Sequence, residues 1–274
     1  MKISIITVAL NDLERLRKTG ESVLGQISTD FEWLIIDGCS VDGTKNYLKQ
    51  ISKDGRVRFK FQDPAGIYSA MNLGAAEARG EFLWFINAGD SFMSTQSVLK
   101  AVRELNGNKT ELLFTPVLHV DSDFGLIDIS IPQLELVDNY VIAHVNHQGV
   151  LVSSDLFREL IGFDESLRFA ADGKFLDRAS ERAMPAISKC IYVAFEIGGT
   201  AARNFRSTLM EISLYRPGTV TGKSLHYLVL KNLIRIMIYR TRSIKVLKLI
   251  YWPIFRSKEK KAQRLLVQHD LIIS

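Results

Sequence analysis

The first 92 residues alternate between strand-like and helix-like segments, and this order constrains the fold more than any other feature of the chain. KISIITVAL, FEWLIID, RVRFKFQ and EFLWFIN read as strands. EFLWFIN is a nearly continuous apolar run, the pattern of a strand buried on both faces, while RVRFKFQ alternates. Between them, residues 12–28 place Leu13, Leu16, Val23, Leu24 and Ile27 near helical spacing, and residues 42–52 read as a short helix. GIYSAMNLGAAEARG is also helical, with Gly80 expected as its C-terminal cap. Strand, helix, strand, helix implies an α/β fold, a mostly parallel sheet wrapped by helices with right-handed crossovers. A chain of 274 residues with 47% hydrophobic content fits one large domain with an appendage better than two equal domains.

Open sheets of this kind bind ligands beyond the carboxyl ends of their strands. The polar residues that close these strands are Asn11 and Asp12, then Asp37, then Asp63, then Asn87 and Asp90. They are expected along one edge. Carboxylates brought together repel one another unless a cation or hydrogen-bond donors satisfy them. A divalent metal holding a diphosphate does so, because hard oxygen ligands suit Mg²⁺ or Mn²⁺. Any one of these aspartates also makes sense alone as a helix cap or turn residue. Three at successive strand ends favour a site.

Several other chemistries are excluded. No GxGxxG follows the first strand and no GxxxxGK[ST] occurs, so the usual dinucleotide and P-loop motifs are missing. DGCSVDG has Cys39 and Val41 where a calcium loop needs oxygen ligands. Cys39 and Cys190 form no CxxC pair and the five histidines lack zinc-ligand spacing, which points to a reducing, cytoplasmic setting. The N-terminal apolar run reaches Asn11-Asp12 without a small-residue cleavage site and reads as a strand, not a signal peptide.

ISIITVALNDLERLRKTGESVLGQ, EWLIIDGCSVDGT, DPAGIYSAMNLGAAEARGEFLWFINAGDSF and HQGVLVSSDLFRELIGFDESLRFAADGKFLDRAS together resemble family-2 glycosyltransferases of the GT-A fold. Within that family they look most like the bacterial enzymes of capsule, O-antigen and exopolysaccharide assembly. The likeness covers residues 1–215, with a nucleotide-sugar half in 1–92 and an acceptor half in 93–215. It implies that Thr7, Ala9, Asp37, Asp63, Tyr68, Asn72, Asn87 and Asp90 bind the donor. Asp90 falls where the family presents the carboxylate that binds metal and diphosphate, so the implied cofactor is Mg²⁺ or Mn²⁺. Here Asn87-Ala88-Gly89-Asp90 supplies one carboxylate where many relatives supply more, and Gly38 stands where a second Asp often follows the first.

Asp172 corresponds to the family's catalytic base, although an Asp opening a helix also serves as a cap. Its role is to deprotonate an acceptor hydroxyl as it attacks the anomeric carbon, with inversion. His147 and Gln148 match a segment that lines the acceptor pocket. Asp164 and Glu165 read as structural, and Gly198 and Gly199 match a loop near the donor.

Between Lys223 and Arg264 twelve Lys or Arg face a single acidic residue, Glu259, while the whole chain carries only +5. The rest of the chain is therefore acidic. Residues 216–274 form a separate basic tail whose apolar runs fall short of the ~18 residues that span a bilayer. A basic, aromatic-rich amphipathic helix over 223–264 is expected to lie on the inner face of the cell membrane, where a lipid-linked glycan acceptor would be found. Two competing readings are a nucleotidyltransferase and a non-catalytic membrane- or nucleic-acid-binding protein. The first lacks a glycine-rich basic loop after the first strand. The acidic body argues against a nucleic-acid partner.

Overall fold

The computed structural model describes residues 1–121, 125–137, 140–197, 204–216 and 272–273. The basic tail and the Gly198-Gly199 segment lie outside the described residues. Strands β1 (Ile3–Ala9), β2 (Phe31–Asp37), β3 (Val57–Phe61) and β4 (Phe82–Phe85) alternate with helices α1 (Leu13–Leu24), α2 (Thr44–Ile51) and α3 (Ile67–Glu77). There follow β5 (Ser91–Phe92), α4 (Ser97–Asn108), β6 (Leu112–Phe114), β7 (Val117–Asp121), β8 (Gly125–Ser130), and the hairpin β9 (Gln133–Val137) and β10 (Tyr140–His144). A 3₁₀ turn at His147–Gly149 leads into β11 (Val150–Ser153), α5 (Ser154–Glu159), α6 (Ala171–Arg182), β12 (Ala186–Ile187), β13 (Cys190–Ile191), β14 (Val193–Glu196) and α7 (Phe205–Tyr215).

The main sheet has seven strands in the order β12-β6-β11-β4-β1-β2-β3. All neighbours are parallel except β11, which runs antiparallel to both β4 and β6. The sheet is therefore mixed, though mostly parallel. Every residue of β2 and β4 is buried, as their continuous apolar runs require, whereas edge strand β3 becomes progressively more exposed along its length. Alternate side chains feed two cores. Ile3, Ile5, Trp33, Ile35 and Trp84 pack with Leu16, Leu48 and Val98 on one face. Ile6, Leu83 and Phe85 pack with Met71, Phe157, Phe163 and Phe175 on the other. A smaller sheet, β5-β14-β7-β8, covers one end.

Gly80 does not cap α3, which ends at Glu77 with Ala78 already extended. Its missing side chain serves packing instead, since a methyl there would lie 2.5 Å from the backbone nitrogen of Ser4. Gly80 N–H donates to Ser4 Oγ at 2.8 Å, and the Ser154 hydroxyl donates to Gly80 O at 2.6 Å. This glycine lets the start of β4 lie against β1. The register pairs Ala9 with Asp37 and Asp37 with Phe61, so β1, β2 and β3 end level with one another.

Candidate active site at the carboxyl edge of the sheet

Beyond that edge lies a cavity of about 660 Å³. Its walls come from the ends of β1 and β4, the loop from β3 into α3, the 3₁₀ turn before β11, and the segment before α6. Ala9, Asp63, Tyr68, Asn87, His147, Gln148 and Asp172 line it. Thr7, Asp37, Asn72 and Asp90 do not.

Each of these four is occupied otherwise. Thr7 is fully buried; its hydroxyl donates to Ile86 O at 2.6 Å and accepts from Trp33 Nε1 at 2.9 Å, joining three strands of the sheet. Asp37 is likewise buried and accepts from Ser40 N–H at 2.9 Å and the Ser40 hydroxyl at 2.6 Å, which shapes the loop after β2. Asn11 completes that loop, donating its N–H to Ser40 Oγ and accepting from Val41 N–H. The Asn72 amide pairs with both the carbonyl and the N–H of Phe163 and donates to Glu165, so it anchors the Gly162 turn to α3.

The expected cluster of three aspartates is therefore absent. Asp63 lines the cavity while Asp37 and Asp90 sit behind its wall, and no three His, Cys, Asp or Glu side chains among the described residues are grouped to hold a metal. Both Asp37 and Asp90 accept local hydrogen bonds on each carboxylate oxygen.

The glycine turn after β4 is built around Asp90. One of its carboxylate oxygens accepts from Asn87 N–H at 3.1 Å and Gln148 Nε2 at 3.2 Å, and the other from Glu196 N–H at 3.2 Å. Burial pushes this carboxyl up to about 6, against the pull of His147 and those three donors. Gly89 has φ of 101°, a conformation that favours glycine. Thr19 on α1 clamps the turn from behind: its hydroxyl lies 2.8 Å from Asp90 O and 2.9 Å from Gly89 N.

Asn87 begins a second network. Its Nδ2 lies 3.0 Å from His147 Nε2, and His147 Nδ1 lies 2.9 Å from Asp172 Oδ2. The other oxygen of Asp172 accepts from the Tyr68 hydroxyl and from Gly173 N–H, each at 2.9 Å. Burial alone would raise the Asp172 carboxyl, but His147, Tyr68 and Gly173 outweigh it and hold the group below the ordinary carboxylate range. For His147, burial opposes the charge, yet Asp172 and Asp90 prevail and hold the imidazole above its ordinary value. The Tyr68 phenol is pushed up by burial and by the adjacent carboxylate. Asn87 Oδ1 is buried and has no hydrogen-bond partner among the described residues.

The orphaned Asn87 Oδ1 in the cavity wall and the Asp90 carboxylate behind it are hard oxygen donors of the kind a divalent ion takes beside phosphate and water, Asp90 only by giving up one of its three donors. They do not make a site that would hold the ion alone. Asp12, expected at this edge, lines the cavity, and sequence reading passed over Arg15, His119, Asn146, Arg168, Phe169 and Phe195, which line it too. Arg15 carried a signal, a cation in the first turn of the helix that follows β1. His119 and Phe195 come from the smaller sheet, which no local pattern announced.

Comparison with known proteins agrees with this architecture. The model of the family described as Glycosyl transferase family 2 matches residues 4–151. An uncharacterized glycosyltransferase of Mycobacterium tuberculosis is 31% identical over 206 residues, covering 73% of this chain and 77% of the relative. A putative teichuronic acid biosynthesis glycosyltransferase of Bacillus subtilis, TuaG, is 32% identical over 92 residues, 33% of this chain and 36% of its own length. Among solved structures, residues 1–349 of S. aureus TarS in complex with UDP-GlcNAc superpose with a TM-score of 0.63 at 18% identity, covering 92% of this chain and 78% of TarS. The fold is thus shared with TarS, and the sequence match spans more than half of the chain: it belongs to glycosyl transferase family 2 and is a glycosyltransferase.

Proposed function

We propose that the cavity binds a nucleotide-diphosphate sugar and that Asp172 is the general base for an inverting transfer to an acceptor hydroxyl. The observation that carries this reading is the bridge formed by His147, which touches Asn87 of the glycine turn through one ring nitrogen and Asp172 through the other. A single imidazole thus separates the group assigned to the donor from the group assigned to the acceptor.

The chain's own residues divide the work. Asp63 and Ala9 line the donor end of the cavity, where the nucleoside is placed, and Asp90 with its three donors fixes the turn that faces the diphosphate. A divalent ion held by Asp90 and Asn87 Oδ1 would neutralise charge on the leaving diphosphate. Asp172, kept ionised by His147 and Tyr68, takes the proton of the attacking hydroxyl, provided that hydroxyl comes within hydrogen-bond reach. His147 and Gln148 orient this apparatus from the 3₁₀ turn.

The acceptor proposed is a glycan, lipid-linked, in cell-surface polysaccharide synthesis. TuaG, named for teichuronic acid biosynthesis, supports that class. Residues 223–264, rich in Lys, Arg and aromatic side chains, would bring the protein to the cytoplasmic face of an anionic membrane. No helix among the described residues is long and apolar enough to cross one.

A thermal-shift screen of UDP-, GDP- and dTDP-sugars, with and without Mn²⁺, tests the donor assignment. At least one nucleotide-sugar should raise the melting temperature. A chain indifferent to all of them in both conditions would not be using this cavity as proposed.

A further inference from the structure

The cavity wall beside the glycine turn carries a cation. Arg15 lies on α1 and lines the cavity together with Asn87 and Ala88. Its own carbonyl accepts from Gly89 N–H at 3.1 Å, and Thr19, one helical turn later, clamps the same turn. The backbone of Arg15 is therefore fixed to the segment that the diphosphate is proposed to face.

Its side chain is held over Gly89. A methyl at position 89 would fall on the guanidinium, 2.6 Å from Nη2 and 2.9 Å from Cζ. Gly89 thus serves two purposes, adopting a positive φ and leaving room for the arginine. The Arg15 side chain is about one-third exposed, yet its Nε is buried and makes no hydrogen bond among the described residues. The Asp12 carboxylate, 3.8 Å from Nε, balances its charge without a hydrogen bond to that nitrogen. A planar cation with an unused buried N–H, opening onto a cavity, is suited to phosphate oxygens, which arginine binds through two N–H groups at once.

We propose that Arg15 is a protein-borne cation for the donor diphosphate, acting beside or in place of a divalent ion at the Asn87–Asp90 turn. The proposal rests on the donor-site reading above. It accounts for how a turn with one carboxylate, already engaged by three N–H donors, can face a doubly charged leaving group: positive charge comes from α1 as well as from any metal. Arg15 is a binding residue for the diphosphate, not a proton-transfer group.

The test is calorimetric titration of UDP, GDP and dTDP, and of the matching nucleosides, into wild type, Arg15→Gln and Arg15→Lys, each in EDTA and in Mn²⁺. Wild type should keep measurable diphosphate affinity in EDTA. Arg15→Gln should lose about 10- to 100-fold of it, the worth of one or two charge-assisted hydrogen bonds. Nucleoside affinity and melting temperature should stay unchanged, and Arg15→Lys should recover part of the loss. Equal losses for nucleoside and diphosphate would make Arg15 a structural residue and overturn the proposal. So would a wild type whose diphosphate binding vanishes in EDTA while Arg15→Gln matches it in Mn²⁺. A wild type that binds none of the diphosphates in either condition would instead remove the donor site itself, and Arg15's role with it.

Discussion

Replacing Asp172 by Asn separates chemistry from architecture, because the surrounding network can reorganise without adding to the unpaired polar atoms. The amide oxygen can keep both bonds made by Asp172 Oδ1, from Tyr68 and from Gly173 N–H. The amide nitrogen then faces His147 Nδ1, which must become an acceptor, so the imidazole is neutral with its proton on Nε2. That N–H in turn meets Asn87, whose buried Oδ1 has no partner and accepts it once the amide turns over. Breaking a buried ion pair usually costs 3–5 kcal/mol because a charge is left behind. Here His147 can shed its proton, so no charge is stranded and the destabilisation should be on the order of 1 kcal/mol. Asp172→Ala is harsher, stranding Tyr68, Gly173 N–H and one nitrogen of His147 at roughly 1–3 kcal/mol each. Catalysis should not distinguish the two. Losing a positioned base costs about 10²- to 10⁴-fold in rate, or about 3–5 kcal/mol of barrier, in Asp172→Asn as much as in Asp172→Ala. The assay pairs urea unfolding and donor titration with steady-state transfer. An Asp172→Asn protein that keeps more than a tenth of wild-type kcat, or whose rate loss is matched by lost donor affinity, would refute the reasoning.

Further outcomes follow from the same contacts. His147→Leu removes the hydrogen bond and charge that hold the Asp172 carboxyl down, so the upward push of burial prevails and its pKa rises. The base is active when ionised, so the acid limb of the kcat–pH profile should move to higher pH, and an unmoved limb would release His147 from this role. Glu211 on α7 accepts from the N–H groups of Arg168, Phe169 and Ala170 at 2.7–3.0 Å, fixing a cavity wall just before Asp172. Glu211→Ala should raise the acceptor KM more than the donor KM and lower stability by about 1–3 kcal/mol, and kinetics with both substrates varied would show whether it does. Deleting residues 223–274 should abolish sedimentation with anionic vesicles while donor affinity persists, and a truncated protein that still sediments contradicts membrane recruitment by this segment.

The parts of this structure readable in advance are those governed by short-range pattern. The apolar runs of β1, β2 and β4 are buried because they pack between two layers, and the level ends of β1, β2 and β3 follow from parallel pairing. Asp90 could be placed because it closes an apolar strand in a glycine turn, whereas the roles of Gln148 and Asp172 were implied only by the family resemblance. Pattern said nothing of what those polar residues touch. Nothing in the pattern around Asp37 announces that Ser40, three positions on, donates to both its oxygens. Asn72 resembles a ligand-binding amide but grips the backbone of Phe163, 91 residues away in sequence. Gly80 carries the signature of a helix cap, and only the approach of β4 to β1 reveals its real constraint. The antiparallel insertion of β11 and the smaller sheet depend on pairings between distant segments, which local periodicity does not encode.

Hydrogen–deuterium exchange on the full chain, with and without the nucleoside diphosphate that most raises its melting temperature, tests the donor-site assignment most directly. Ligand should slow exchange in the segments around residues 62–72, 87–91 and 145–149, which meet at the cavity. Those segments exchanging as in the free protein, with protection confined to a surface remote from them, would contradict the account.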